Sequence, residues 1–102
     1  MMKEGSIYIA GKITGDADYQ TKFRMAEEVL IKLGWNCWYI VNPVKECKKH
    51  WSWLRCMVKC LSLLKECKWV AMLPDWKESR GARIEHRVAQ WLDKDIIYIE
   101  GI

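Results

Sequence analysis

The sequence predicts an α/β protein: a single domain spanning 1–102, with one four-stranded parallel sheet in a βαβαβαβ order. Three observations predict it. Short apolar runs stopped by glycine, proline or a charged residue recur along the chain. Segments with apolar residues at helical spacing lie between them. The connections are mostly short, so each strand–helix–strand unit closes as a right-handed crossover, and the helices cover both faces of the sheet.

Each element has its own signal. Ser6-Ile7-Tyr8-Ile9-Ala10, followed by Gly11, has the profile of a buried first strand. From Asp16 to Leu33, Phe23, Ala26, Leu30 and Leu33 repeat at helical spacing, and Gly34 ends the stretch as a C-cap. Asn36 to Val41 reads as a second strand, stopped by Asn42-Pro43. Leu54, Met57, Leu61 and Leu64 mark a second helix from about His50 to Glu66. Lys68 to Leu73 reads as the third strand, stopped by Pro74. Ser79 is the expected N-cap of a third helix running to Leu92, and Asp95 to Ile99 is the fourth strand. The expected architecture is a flavodoxin- or Rossmann-like three-layer sandwich.

Composition narrows the class. With 51% hydrophobic and 29% charged residues, the chain is globular rather than disordered. No apolar run approaches the roughly 20 residues of a membrane span. The opening Met1-Met2-Lys3-Glu4-Gly5 has no signal-peptide layout. Five cysteines, an odd number with no CxxC pair, then favour reduced thiols in a cytoplasm over a disulfide framework. Cys56 and Cys60 fall four apart on the second helix, with Cys47 and Cys67 flanking. Zinc sites usually show CxxC or histidine pairs, so buried thiols without metal are expected.

The net charge of +4 is concentrated: seven Lys or Arg against two Glu lie between Val44 and Lys68. A solvated helix face explains such a patch better than a nucleic-acid interface does, although the latter stays open. Most of the seven tryptophans are expected to pack, with Trp53 and Trp76 close enough to the expected site to stack on a base.

Ligands in parallel sheets bind outside the carboxyl ends of the strands, where the strand order reverses. The loops Gly11 to Gly15, Asn42 onward, and Pro74 to Gly81 are expected to meet there. In Gly11-Lys12-Ile13-Thr14-Gly15, two glycines let backbone N–H groups approach an anion at a helix N-terminus, and a tight turn explains them about as well. On the third helix, Gly81, Glu85, Val88, Ala89 and Leu92 share one face. A carboxylate on an inward stripe needs a reason, because burying it unpaired is costly. Either it pairs with Arg80, Arg83 or Arg87 or sits at the stripe's edge, or it points into a pocket, with Gly81 leaving space for a ligand. In the second case it suits nucleophilic attack on an anomeric carbon, whose transition state is oxocarbenium-like. The helix N-terminus and Arg83 would then help keep it ionised. His86, next to it, is expected to face solvent.

Together these residues resemble the nucleoside 2-deoxyribosyltransferase-like superfamily over nearly the whole chain. Tyr8, Gly11, Ile13 and Gly15 match the opening Y-x-x-G-x-I-x-G. Leu73-Pro74-Asp75-Trp76, Ser79, Gly81-Ala82 and Glu85, followed by Ala89, resemble the second signature, most closely in a small phage and bacterial branch related to 2′-deoxynucleoside 5′-phosphate N-hydrolases. The resemblance implies Glu85 as nucleophile, Tyr8 positioning it, the Gly11–Gly15 loop around the deoxyribose, and Ser79 on a 5′-phosphate. A serine there favours a nucleotide over a nucleoside, since a carboxylate would repel the phosphate. It further implies an N-glycosidase or deoxyribosyltransferase without metal or other cofactor, acting on a small nucleotide or nucleoside. The expected assembly is a homo-oligomer, with Trp51 or Trp91 as interface candidates. Two positions depart from the family. Cys60, beside Lys59, registers with an Asp that handles the leaving base, and few residues follow the last strand, where family members lend a residue to a neighbouring subunit. The alternative from a different class is a non-catalytic nucleotide-binding module of the same fold.

Overall fold

The computed structural model describes residues 5–48 and 50–101. Its elements are β1 (Ile7–Ala10), α1 (Tyr19–Lys32), β2 (Ile40–Val41), α2 (Trp53–Lys65), β3 (Trp69–Met72), α3 (Arg80–Trp91) and β4 (Asp95–Tyr98). The strands form one sheet in the order β2-β1-β3-β4, and every pairing is parallel. The α/β class and the four-stranded parallel sheet expected from the sequence are therefore found.

Alternation along β1 builds the layers. Ile7 and Ile9 pack with Phe23, Ala26 and Leu30 of α1 on one face. Tyr8 and Ala10 join Leu64 of α2 with Ala82 and Ala89 of α3 on the other. All four β1 residues are buried, which is why the strand reads as a continuous apolar run rather than an alternating one. Tyr8 carries the one polar tip on that strand, and burial obliges its hydroxyl to find a partner.

Helix ends follow local chemistry. Ser79 caps α3, its hydroxyl oxygen accepting from the Ala82 N–H at 3.2 Å, and Ser52 caps α2 in the same way through Arg55 N–H at 3.2 Å. Gly34, with φ +105°, takes the left-handed conformation after α1. The first helix starts three residues later than Asp16, because Asp16 is used by the loop: its carboxylate accepts from Asp18 N–H at 2.8 Å and pairs with Lys22 at 2.6 Å.

The second strand is shorter than the sequence suggests. Asn36 Oδ1 accepts from Trp38 N–H at 3.0 Å, which folds Cys37–Tyr39 into a 3-10 turn and leaves Ile40–Val41 for the sheet. No helix among the described residues is long and apolar enough to cross a membrane.

The connections after β1 and β3 leave in opposite directions along the sheet, toward β2 and β4 respectively. Adjacent strands whose crossovers diverge open a crevice at their carboxyl ends. That switch point places the site.

Candidate functional site

A cavity of about 350 Å³ occupies the crevice. Gly11, Ile13 and Thr14 line it from the loop after β1, and Val44, Cys47 and Lys48 from the connection after β2. Trp51, Trp53, Met57 and Cys60 form the wall on the α2 side, and Ser79 and Glu85 come from α3 and its cap. Two of the three expected loops thus meet as anticipated, while the third contributes Ser79 alone.

Glu85 is on the cavity floor and only 5% exposed. It belongs to the inward stripe of α3 with buried Gly81, Ala82 and Ala89. The phenolic hydroxyl of Tyr8 donates a hydrogen bond to Glu85 Oε2. Loss of solvent pushes the Glu85 carboxyl up to about 8, against which the Tyr8 hydrogen bond acts. Burial, then the charge of Glu85, holds the Tyr8 hydroxyl well above its ordinary value. Cys60, on the same floor, is pushed up to about 11 by burial and then by Glu85.

The expectation that arginine keeps Glu85 ionised is corrected here. Arg80, Arg83 and Arg87 lie with Ile84 around a separate surface hollow, on a helix face turned away from Gly81, Glu85 and Ala89. Among the described residues, the hydrogen-bond partner of Glu85 is Tyr8. Burial therefore favours the neutral form of this acid.

Ser79 opens to the cavity while capping α3. Arg80 lies with its guanidinium 4.7 Å from the ring of Trp53, and Arg55 lies 4.3 Å from that of Trp51. These two Arg–Trp pairs frame the α2 side of the cavity, so Trp51 is part of the wall, whereas Trp91 is 85% exposed. The sequence carried a signal for the second pair, since Trp51 and Arg55 are four residues apart where an amphipathic helix begins.

Other expected residues sit elsewhere. Gly11 lines the cavity, yet its missing side chain is explained by Leu73, whose Cβ and Cγ lie 2.9 Å from where a Cβ would be. Gly15 is outside the lining, with φ +79° at an open turn. The space at Gly81 is taken by Met57, whose sulfur lies 3.0 Å from a would-be Cβ; the glycine lets α2 and α3 approach and does not leave room for a ligand. Asp75 is engaged in a clamp, accepting from Lys12 N–H at 3.2 Å and pairing with Lys22 at 3.2 Å. It ties the loop after β3 to the loop after β1 outside the cavity. Trp76 also lies outside, stacked on His86 with ring centres 4.1 Å apart. His86 is accordingly half-buried and shares a hydrogen bond with the Tyr98 hydroxyl at 2.8 Å, contrary to the expected solvent-facing position. Burial, then Lys77, holds its imidazole below the usual value.

The cysteines bring a second correction. Cys47 and Cys56 form a disulfide, while Cys37, Cys60 and Cys67 are free. The connection after β2 folds back over the first turn of α2 and brings the two Cα atoms to 5.7 Å, a proximity that the nine-residue spacing did not reveal. Within the basic stretch, Lys45 pairs with Glu27 at 3.1 Å, Lys48 reaches the cavity and Arg55 lies on Trp51, while Lys49 is outside the described residues.

Fold and site together define an α/β protein with a desolvated acid at the switch point of a parallel sheet. Residues 5–98 match the family described as a domain of unknown function, DUF4406, and the chain belongs to that family. Among curated proteins, none matches the chain.

Proposed function

We propose that the protein is an N-glycosidase or deoxyribosyltransferase that acts on the base–deoxyribose bond of a small nucleotide, with Glu85 as nucleophile. The observation that carries the reading is the Tyr8–Glu85 pair on the floor of the switch-point cavity. The sequence resemblance to the nucleoside 2-deoxyribosyltransferase-like superfamily supports the same assignment.

The chemistry runs as two displacements. The Glu85 carboxyl first gives up its proton to solvent; its carboxylate then bonds to the anomeric carbon as the bond to the base breaks, and the base departs with the electron pair and takes up one proton from solvent. Water or an acceptor base then displaces the carboxylate and releases the sugar phosphate or the new nucleotide. A dry carboxylate is well placed for this role. It gains most when positive charge develops on the sugar, because a low-dielectric surround strengthens that attraction. Tyr8 fixes the side chain for attack. Ser79, at the N-terminus of α3, offers its hydroxyl and the helix end to a 5′-phosphate, and Arg80 adds a cation nearby.

Incubation with the four deoxynucleoside 5′-monophosphates, followed chromatographically, tests this reading. Release of free base by the wild type and its loss in Glu85→Gln are expected. Absence of release, or equal release by both proteins, rejects it.

One observation favours a second reading, a module that binds nucleotides without cleaving them. The residue registered with the family's base-handling carboxylic acid is Cys60, a buried thiol on the cavity floor. Calorimetric binding of a monophosphate that stays intact over hours would select that reading.

A further inference from the structure

Three sulfur atoms converge on the cavity wall, and the glycosidic reading uses none of them as a nucleophile or anchor. Cys56 and Cys60 project from the same face of α2, and Cys47 reaches them from the connection after β2. The Sγ of Cys60 lies 3.8 Å from that of Cys47 and 3.9 Å from that of Cys56. A tetrahedral thiolate centre with metal–sulfur bonds of about 2.3 Å holds its sulfurs about 3.8 Å apart. Two of the three sulfur pairs already stand at that separation. The third, Cys47–Cys56, is closed as a disulfide.

The donor set is chemically uniform, since the cluster of potential ligands is formed by these three sulfurs. Soft thiolates select thiophilic cations such as Zn²⁺ over Mg²⁺ or Ca²⁺. Cys60 is buried, Cys47 and Cys56 are half-buried, and all three line the cavity. An ion among them has protein behind it and open space in front.

We propose that, when the Cys47–Cys56 disulfide is reduced, Cys47, Cys56 and Cys60 form a three-thiolate site for a thiophilic divalent cation, Zn²⁺ foremost, with its fourth position facing the cavity. Reduction by an external dithiol transfers two electrons and two protons to the disulfide and leaves the dithiol oxidised. Binding then releases three protons to solvent as three sulfur–metal bonds form. Disulfide and metal are alternative states of one cluster, because a sulfur committed to the disulfide is no longer a thiolate donor. The inference stands on sulfur geometry alone and does not depend on the glycosidic reading.

The test uses full-length protein reduced with a phosphine, desalted without oxygen and titrated with Co²⁺ and then Zn²⁺. One equivalent of Co²⁺ is expected to produce sulfur-to-cobalt charge-transfer absorption in the near ultraviolet, and one equivalent of Zn²⁺ to displace it. Cys60→Ser and Cys47→Ser, each checked for folding by circular dichroism, are expected to weaken binding by more than the roughly 10- to 100-fold that losing an outer-shell partner costs. The double variant Cys37→Ser/Cys67→Ser is expected to bind like the wild type. No charge-transfer band in the reduced wild type, or undiminished binding by folded Cys60→Ser or by the oxidised protein, overturns the proposal. Base release plays no part in these readouts, so a failure here leaves the glycosidic reading intact, and the converse holds.

Discussion

Tyr8 of β1 and Glu85 of α3, 77 residues apart in sequence, hydrogen-bond to each other inside the protein. Tyr8 is wholly buried and Glu85 is 5% exposed. The pair ties the central strand to the helix that covers it, and it places an acid where water cannot stabilise its charge. Its electrostatic consequence is measurable without knowing any substrate.

Stability is expected to fall as pH rises from about 4.5 to about 8. In the unfolded chain Glu85 ionises near 4.5, and in the folded protein near 8. Between those values the folded state retains a proton that the unfolded state has released, so raising the pH favours unfolding. The contribution is complete below the lower value and lost above the higher one. His86, whose imidazole is held low, acts in the opposite sense where histidine titrates. The difference between wild type and Glu85→Gln, which retains His86, therefore isolates the glutamate. Urea midpoints across this range should show that difference sloping downward with pH; a flat or rising difference would place Glu85 in contact with solvent or with a cation.

Tyr8→Phe removes the donor and leaves the carboxyl buried without it. The expected cost is about 1–3 kcal/mol, the usual penalty for orphaning a buried polar group. Because the Tyr8 hydrogen bond lowers the Glu85 value, its loss moves the ionisation further up. A carbon-13 titration of the Glu85 carboxyl reads this shift directly. Under the glycosidic reading the acid limb of activity moves with it, a signature that simple loss of stability would not produce.

Two glycines near the site should respond differently to alanine. At Gly11 a Cβ meets the Cβ and Cγ of Leu73, which is buried and anchored close to its own backbone. Gly11→Ala is expected to cost about 1–3 kcal/mol by overpacking. At Gly81 the nearest obstacle is the sulfur of Met57, the end of a flexible side chain. Alanine also gains about 1 kcal/mol of helix propensity there. Gly81→Ala should therefore melt within a few degrees of the wild type, with the displaced Met57 intruding on the cavity wall. Thermal unfolding of both variants checks the order, and equal losses would contradict it.

The legible parts of the sequence were those governed by local chemistry. Ser79 and Gly34 marked helix ends because capping depends on neighbouring backbone groups. Glu85 on an apolar helical stripe is legible because a buried carboxylate demands a partner, whereas Tyr8 reads as part of an apolar strand and is marked only by the family resemblance. What stayed hidden depended on how elements pack. Nothing within nine residues announced that Cys47 returns to Cys56, because the return is made by the connection after β2. Gly81 looked like space for a ligand until α2 supplied Met57. Asp75 and Trp76 lie in the same signature as Ser79, yet the 3-10 turn at Trp76–Glu78 carries them to a salt-bridge clamp and an aromatic stack outside the cavity.

Ser79 separates a phosphate anchor from a helix cap. Its hydroxyl oxygen accepts from Ala82 N–H and also borders the cavity, so Ser79→Ala confounds the two roles and costs about 1 kcal/mol through the lost cap alone. Ser79→Asp keeps them apart. Aspartate caps as well as serine does and carries a charge suited to the helix N-terminus, so stability should stay within a few tenths of a kcal/mol. The same carboxylate repels a 5′-phosphate, and unit charges about 4 Å apart near a protein surface interact by about 4 kcal/mol. Screening by solvent and salt reduces that figure, but a loss of more than about tenfold in monophosphate affinity is still expected. The corresponding nucleoside, which lacks the phosphate, should bind Ser79→Asp as it binds the wild type. Calorimetric titration of both ligands against both proteins provides the comparison. Equal monophosphate affinity in the two proteins would mean that Ser79 only caps the helix and that the phosphate, if bound, sits elsewhere.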